Sequence, residues 1–188
     1  MNKRVVITGM GVVSPLGNEI DKFWNNLVAG TNGVTTQDWL VEEGYNATVA
    51  ATAKDEILID DVVDFKEARR MDPFTRYSVH SAKAAIAQSG LDTSSEDPTR
   101  MGVIIGSGVG GLYTFEEQHA MLIKRGHRRV SPFFIPMMIP DIAAGYVSII
   151  WGLKGPNFSV NSACATAAHA VGLGMRAIRY GDADVMVC

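Results

Sequence analysis

Gly155-Pro156-Asn157-Phe158-Ser159-Val160-Asn161-Ser162-Ala163-Cys164-Ala165-Thr166-Ala167-Ala168-His169-Ala170 reads as a short strand, a tight corner of small residues, and a helix opening at the cysteine. Phe158 and Val160 alternate with smaller polar residues, which is strand spacing. From Cys164 onward alanine and other good helix formers continue to about Tyr180, where Gly181 predicts the stop. A thiol at such a corner lies near unpaired backbone N–H groups and the positive end of a helix dipole, and both favour thiolate over thiol. The competing reading is a small buried cysteine filling a helix–strand contact, since free cysteine is among the most buried residue types.

Outward from this stretch the chain alternates strands with helices. Residues 4–8, rich in β-branched side chains, predict a first strand running into a glycine-containing loop. Asn18 is placed to cap a helix to about Ala29, with Phe23, Trp24, Leu27 and Val28 on one face and Gly30 as the stop. Residues 31–44 read as irregular, 47–53 as a strand or hairpin arm, and 57–65 as a polar-interrupted connection. Asp72 followed by Pro73 marks a helix start, with the helix running to Gln88 and ended by Gly90. Residues 101–107 predict a central strand, 112–123 a helix, and 124–129 a basic loop. Prolines at both ends of 132–136 predict extended or turning backbone there, and 137–151 a buried helix with Pro140 in its first turn. Residues 182–188 predict a final buried strand. The expected fold is α/β, with a mainly parallel sheet covered on both faces. Because chains usually end at an exposed surface, an apolar strand at the terminus predicts that these residues are the first part of a longer protein.

Composition narrows the class. Of 188 residues, 47% are hydrophobic and 20% charged, the balance of a soluble globular chain with material for a core. A formal net charge of −3 gives no general affinity for nucleic acid or anionic membrane. Cys164 and Cys188 are the two cysteines, which is no disulfide framework and fits a reducing cytosol. No secretory leader is evident, and no apolar run approaches the roughly 20 residues of a membrane span. A cytoplasmic protein is expected, with no membrane and no nucleic-acid partner.

Two glycine loops raise the question of phosphate. Gly9-Met10-Gly11 follows a predicted strand, but the dinucleotide fingerprint needs glycine where Ser14 stands. Gly106-Ser107-Gly108-Val109-Gly110-Gly111 matches the pattern literally, yet no strand with a terminal acid follows about 20 residues on. These glycines are better read as letting the backbone pass close to a neighbouring element or an acyl ligand. No H-E-x-x-H or C-x-x-C offers a metal site, and neither a metal nor another cofactor is expected. His169, five residues past Cys164, is rotated about 140° around the helix and so does not share the sulfur's face. His80, His119 and His127 lie on other elements. A thiolate acting alone on its helix dipole suits acyl transfer, with its own backbone N–H helping to hold the developing oxyanion.

The motifs now carry a resemblance. Val6-Ile7-Thr8-Gly9-Met10-Gly11-Val12-Val13-Ser14-Pro15-Leu16-Gly17, Ile105-Gly106-Ser107-Gly108-Val109-Gly110-Gly111-Leu112, Ser131-Pro132-Phe133-Phe134, Ser162-Ala163-Cys164-Ala165-Thr166 and Gly181-Asp182-Ala183-Asp184-Val185-Met186 occur in this order. Over essentially its whole length the chain resembles the β-ketoacyl-[acyl-carrier-protein] synthases, most of all the type II elongating enzymes of fatty-acid synthesis. Type I synthases and polyketide ketosynthases are close relatives. The resemblance implies a thiolase-like fold of two similar α/β halves, usually in a homodimer, of which residues 1–188 are the N-terminal half. It implies that Cys164 accepts an acyl group from acyl-carrier protein. Malonyl-carrier protein is then decarboxylated, and its carbanion attacks the thioester in a Claisen condensation. The two histidines and the lysine that serve decarboxylation belong to the second half, so this chain alone is expected to lack condensing activity.

Further roles follow from the resemblance. Val109, Phe134 and Ala163 match positions lining the acyl tunnel, Phe134 from across a dimer interface. For Val109 and Phe134 the competing reading is ordinary core. The segment through Phe158 and Val160 corresponds to the strand that pairs across the dimer axis. Lys66, Arg69, Arg70, Arg128 and Arg129 match positions that contact carrier protein. Such clusters are otherwise solvated faces, but carrier proteins are strongly acidic and local positive patches steer them in. The alternative function is a non-catalytic partner of the chain-length-factor type, which typically lacks the cysteine retained here.

Overall fold

The structure is a computed structural model that describes residues 3–188. In chain order it contains α1 (Ile20–Val28), β1 (Thr35–Thr36), α2 (Asp38–Glu42), β2 (Val49–Ala50), α3 (Phe65–Ala68), α4 (Pro73–Ser89) and β3 (Met101–Ile104). There follow α5 (Leu112–Arg125), α6 (Phe134–Met138), α7 (Ile142–Trp151), β4 (Asn157–Phe158), α8 (Thr166–Tyr180) and β5 (Val185–Val187). Single 3-10 turns occur at Pro98–Arg100, His127–Arg129 and Ala163–Ala165.

The apolar run at β3 is buried along its whole length and takes the middle of a three-stranded parallel sheet in the order β4-β3-β5. Val103 pairs with Asn157 on one side, and Met101 with Val185 on the other. Strand alternation divides β5 between two faces. Val185 and Val187 join the core that Met101 and Val103 form with Ala144 and Val147 of α7 and Val79 and Ala82 of α4. Met186 and Cys188 point the other way, against α8, where a Cβ on Gly174 would lie 3.3 Å from the Met186 Cβ. Helices thus cover both faces, the expected α/β arrangement. Each fully buried valine contributes about 1.5–3 kcal/mol relative to exposure. A separate antiparallel pair, β1 with β2, matches Thr35 to Ala50 and brackets α2. Among the described residues no helix is long and apolar enough to cross a membrane.

The best-marked helix forms as its sequence dictates. The Asp72 carboxylate accepts from the Phe74 N–H, Pro73 occupies the first turn, and Gly90 closes α4 at φ 67°. Asp72 is 3% exposed, and its second oxygen accepts from the Thr114 N–H at 2.8 Å, so one carboxylate caps both α4 and α5.

Several expectations are corrected. Residues 4–8 form no strand: a strand exists by pairing with a neighbour, and these residues pair with none of β3, β4 and β5. Val6 and Ile7 are 60% and 76% exposed. Asn18 does not cap α1. Its amide instead donates to the Asp55 carbonyl at 3.0 Å, and its Oδ1 accepts from the Ser14 N–H at 3.2 Å. Trp24, Leu27 and Val28 remain exposed. The stretch 31–44 is not irregular but holds β1 and α2. Phe134 and Pro136 lie inside α6, since a helix's first turn has N–H groups with no intrahelical acceptor and a proline there loses nothing. Pro140 ends α6 rather than opening a longer helix. Ile139 before it is extended at ψ 139°, as proline demands of its predecessor, and α7 begins afresh at Ile142. Val160 lies beyond β4, and β5 is half-buried rather than buried.

Candidate active site

Cys164 sits in the 3-10 turn Ala163–Ala165, just before α8 and not on the helix itself. It is exposed, so it is not a filler of the helix–strand contact. No side chain caps α8 at Ala165. The turn is strained. Ala163 has φ 50°, the one positive φ outside glycine among the described residues, in a region that costs an L-residue about 1–2 kcal/mol.

Side chains around the corner hold that conformation. Thr166, 7% exposed, accepts from the Ser162 N–H at 2.9 Å and donates its own hydroxyl to the Ala163 carbonyl at 2.8 Å. Asn161 donates to the Gly108 carbonyl at 2.6 Å and accepts from the Ala163 N–H at 3.3 Å. The Ser162 hydroxyl lies 2.5 Å from His169 Nδ1.

The second glycine loop packs into this corner. A Cβ on Gly106 would overlap the Thr166 methyl and lie 2.6 Å from the Val160 carbonyl oxygen. At the loop's other end the Gly111 N–H donates to the Met138 carbonyl at 2.8 Å, and a Cβ on Gly111 would meet the Met137 carbonyl at 2.6 Å. The loop is therefore a spacer without side chains between the cysteine corner and the end of α6, which is the close-packing reading. Its helix offers no ready phosphate seat, because the Asp72 carboxylate already takes the Thr114 N–H. Gly9 and Gly11 serve the same end, leaving no room for a Cβ against the Ala85 and Ser81 carbonyls of α4.

The three expected tunnel residues stand on the glycine loop, the cysteine corner and α6. Val109 stands on the glycine loop at 66% exposure, so it is not core. Ala163 belongs to the corner itself. Phe134, half-buried, opens the helix that the loop's far end touches and packs on Phe115 with ring centroids 6.2 Å apart.

The histidines divide as follows. His80 Nδ1 accepts from the Leu58 N–H at 3.1 Å and its Nε2 faces the Asn18 carbonyl, so it ties loops together. His119 stacks on Phe115 at 6.3 Å. His127 begins a 3-10 turn. His169 alone of the four is tied to the cysteine corner, through Ser162, and because Cys164 lies in the turn before α8 the rotation of helix positions does not apply between them. What that reasoning missed is that the residues before the helix fold back, bringing Ser162 to it. The Cys188 sulfur faces α8 at Gly174, and burial pushes this thiol up to about 11 although the residue as a whole is exposed. Among the described residues no cluster of three or more histidine, cysteine or acidic side chains is gathered. A cleft of about 260 Å³ lined by Ile59, Pro73, Arg76 and Tyr77 lies at the start of α4, on elements separate from the cysteine corner.

Lys66, Arg69, Arg70, Arg128 and Arg129 are all exposed. They are not equivalent. Arg70 lies over the Phe133 ring at 4.1 Å and pairs with Glu67 at 3.4 Å, whereas Arg69 lies more loosely over Phe65 at 5.8 Å. Phe133 follows Arg129 closely in sequence, so the segment bearing the second basic cluster passes against the first.

The chain is similar to known proteins over its whole length. The chain is 47% identical over 186 residues to 3-oxoacyl-[acyl-carrier-protein] synthase 2 of Staphylococcus aureus (strain COL), covering 99% of this chain and 45% of that protein. It is 41% identical over 185 residues to the protein of the same name from Vibrio cholerae, covering 98% and 44%. It therefore spans less than half the length of these relatives. A β-ketoacyl synthase structure from Burkholderia phymatum superposes with a TM-score of 0.81 at 32% identity, covering 96% of this chain and 45% of that one. A type II polyketide synthase acyl-carrier protein in complex with its ketosynthase bound to the hexaketide (AntDE:AntF) gives a TM-score of 0.84 at 26% identity, covering 100% and 51%. These matches show a thiolase-like ketosynthase fold. Residues 2–188 match the family profile described as the β-ketoacyl synthase N-terminal domain, and the chain belongs to that family.

Proposed function

We propose that this chain is the nucleophile-bearing half of a condensing acyltransferase of fatty-acid elongation, and that residues 1–188 form a single N-terminal half-domain of it. The observation that carries this reading is the exposed Cys164 on a strained turn at the start of α8, in a chain similar to 3-oxoacyl-[acyl-carrier-protein] synthases. The Cys164 sulfur attacks the thioester carbonyl of an acyl-carrier protein. A tetrahedral oxyanion forms near the cysteine's own N–H and collapses, and the carrier's thiol leaves with a proton. Loss of CO2 from malonyl-carrier protein then generates a carbanion that attacks the Cys164 thioester, forming the new C–C bond and releasing the sulfur. Decarboxylation relies on groups outside these 188 residues. The chain alone therefore does not condense acyl groups.

In this reading Val109, Phe134 and Ala163 border the acyl chain. Lys66, Arg69, Arg70, Arg128 and Arg129 meet the acidic carrier protein, whose binding to a ketosynthase relative supports the partner. The open outer edge of β4 pairs with a second copy in a homodimer, and the enzyme works in the cytoplasm. Retention of Cys164 stands against the non-catalytic partner reading. The test is to incubate the complete protein with an acyl-acyl-carrier protein and analyse the Cys164 peptide by mass spectrometry. A mass increase equal to the acyl group is expected, and an unmodified Cys164 in folded, complete enzyme rejects the reading.

A further inference from the structure

We infer that Ser162 and His169 form a positioning pair that holds the strained turn presenting Cys164. The inference rests on Cys164 being the reactive nucleophile.

A positive φ at alanine persists only where surrounding bonds over-determine the backbone. Ser162 precedes Ala163 directly, and it is tied to α8 twice. Its N–H is held by Thr166 Oγ1 at 2.9 Å, and its hydroxyl by His169 Nδ1 at 2.5 Å. Thr166 and His169 lie three positions apart on α8, so they share one helix face. Fastened at both main chain and side chain, Ser162 has no freedom to unwind from φ −150° and ψ 42°, and Ala163 stays in the left-handed region. The thiol of the next residue is thereby kept on the exposed turn that opens α8. Thr166 is buried and makes two bonds, so it is a structural anchor. His169 is exposed, and among the described residues its side chain's hydrogen-bond partner is Ser162. Its ring serves through Nδ1 alone. Either proton arrangement sustains the contact, because a serine hydroxyl both donates and accepts.

The experiment measures the rate at which iodoacetamide alkylates Cys164 in the complete protein, read from the Cys164 peptide by mass spectrometry, with circular dichroism melts as the check of fold. Ser162→Ala and His169→Ala each slow alkylation about tenfold, the rate equivalent of one lost hydrogen bond between such groups. The double variant is no slower than either single one. His169→Asn, whose amide reaches the place of Nδ1, restores the rate to within about threefold of the parent, whereas His169→Gln, which extends to the place of Nε2, does not. Unchanged alkylation in Ser162→Ala and His169→Ala, multiplying effects in the double variant, or no rescue by His169→Asn each overturns the pair. The readout needs no acyl chemistry. A parent protein that alkylates normally but takes no acyl group defeats the proposed function alone.

Discussion

At the scale of single residues the site turns on Ala163. A backbone at φ 50° is free for glycine, costly for alanine and severe for a β-branched side chain, whose extra branch meets the following peptide. Ala163 is exposed, so added volume there meets solvent rather than core. Ala163→Val is expected to lower unfolding stability by about 1–3 kcal/mol, the range for a strained backbone position, while Ala163→Gly changes it by less than about 1 kcal/mol. Chemical denaturation of both variants beside the parent checks this, and an equal loss in both would mean that the alanine methyl rather than backbone strain matters. The strain was invisible in the sequence, where alanine reads as a helix former. For Cys164 the residues alone left a reactive thiol and a buried filler both open, and its exposure on the turn argues against the filler. The Ser162–His169 contact was not legible, since helical rotation describes a helix's own faces and says nothing of a preceding turn that doubles back.

At the scale of elements, the glycine loop between β3 and α5 sets the distance from the cysteine corner to α6. Two glycines of this loop differ sharply. Gly106 is enclosed by Thr166 and Val160, whereas a Cβ on Gly108 meets nothing within 4 Å. Gly106→Ala is expected to cost about 1–3 kcal/mol, as overpacking does, and to displace the corner, while Gly108→Ala stays within about 0.5 kcal/mol of the parent. Thermal or denaturant unfolding of the pair measures the difference, and equal stabilities would refute the spacer role. The sequence pattern announced that backbone must pass close to something here, but not to what, because the partners Val160, Thr166 and Met137 lie far along the chain. Local signals fared unevenly for a similar reason. Asp72, Pro73 and Gly90 act on their own helix and predicted it correctly. Pro136 and Pro140 bear on backbone position within a turn, and a shift of a few residues moved the helix boundary from one side of Pro140 to the other.

At the scale of the whole molecule, the alternation of strands and helices was enough to give an α/β fold, and the buried run of β3 was enough to identify its centre. The position of residues 4–8 was not legible, because their composition says that they can form a strand and only the folded chain says whether they pair with one. What fastens this end instead is charge. Asp184, just before β5, accepts from the Arg100 guanidinium at 2.8 Å and from Lys3 Nζ at 2.9 Å, while Arg100 also donates to the Gly181 carbonyl at 2.8 Å. One carboxylate thus joins the N-terminal segment, the start of β3 and the entry to β5. Arg100 foremost, then Lys3, hold the Asp184 carboxyl well below its usual value of 3.8. A carboxylate depressed on folding lends stability that is fully present above the unfolded-state value and is lost as the pH falls towards the folded-state one. The Asp184→Asn variant should therefore melt below the parent at pH 7, and the gap in Tm should narrow as the pH drops below about 4 and go on narrowing down to about pH 2. Asp184 is 53% exposed on its side chain, so salt screens the clasp and 0.5 M NaCl at pH 7 should also shrink the gap. Asp55, Asp61, Asp64 and Asp92 are likewise depressed by their own hydrogen-bond partners, but they are common to both proteins and cancel in the difference. A Tm gap that stays constant from pH 7 to pH 2 would show that Asp184 acts through hydrogen-bond shape rather than charge, and the clasp would then no longer account for how this end of the chain is held.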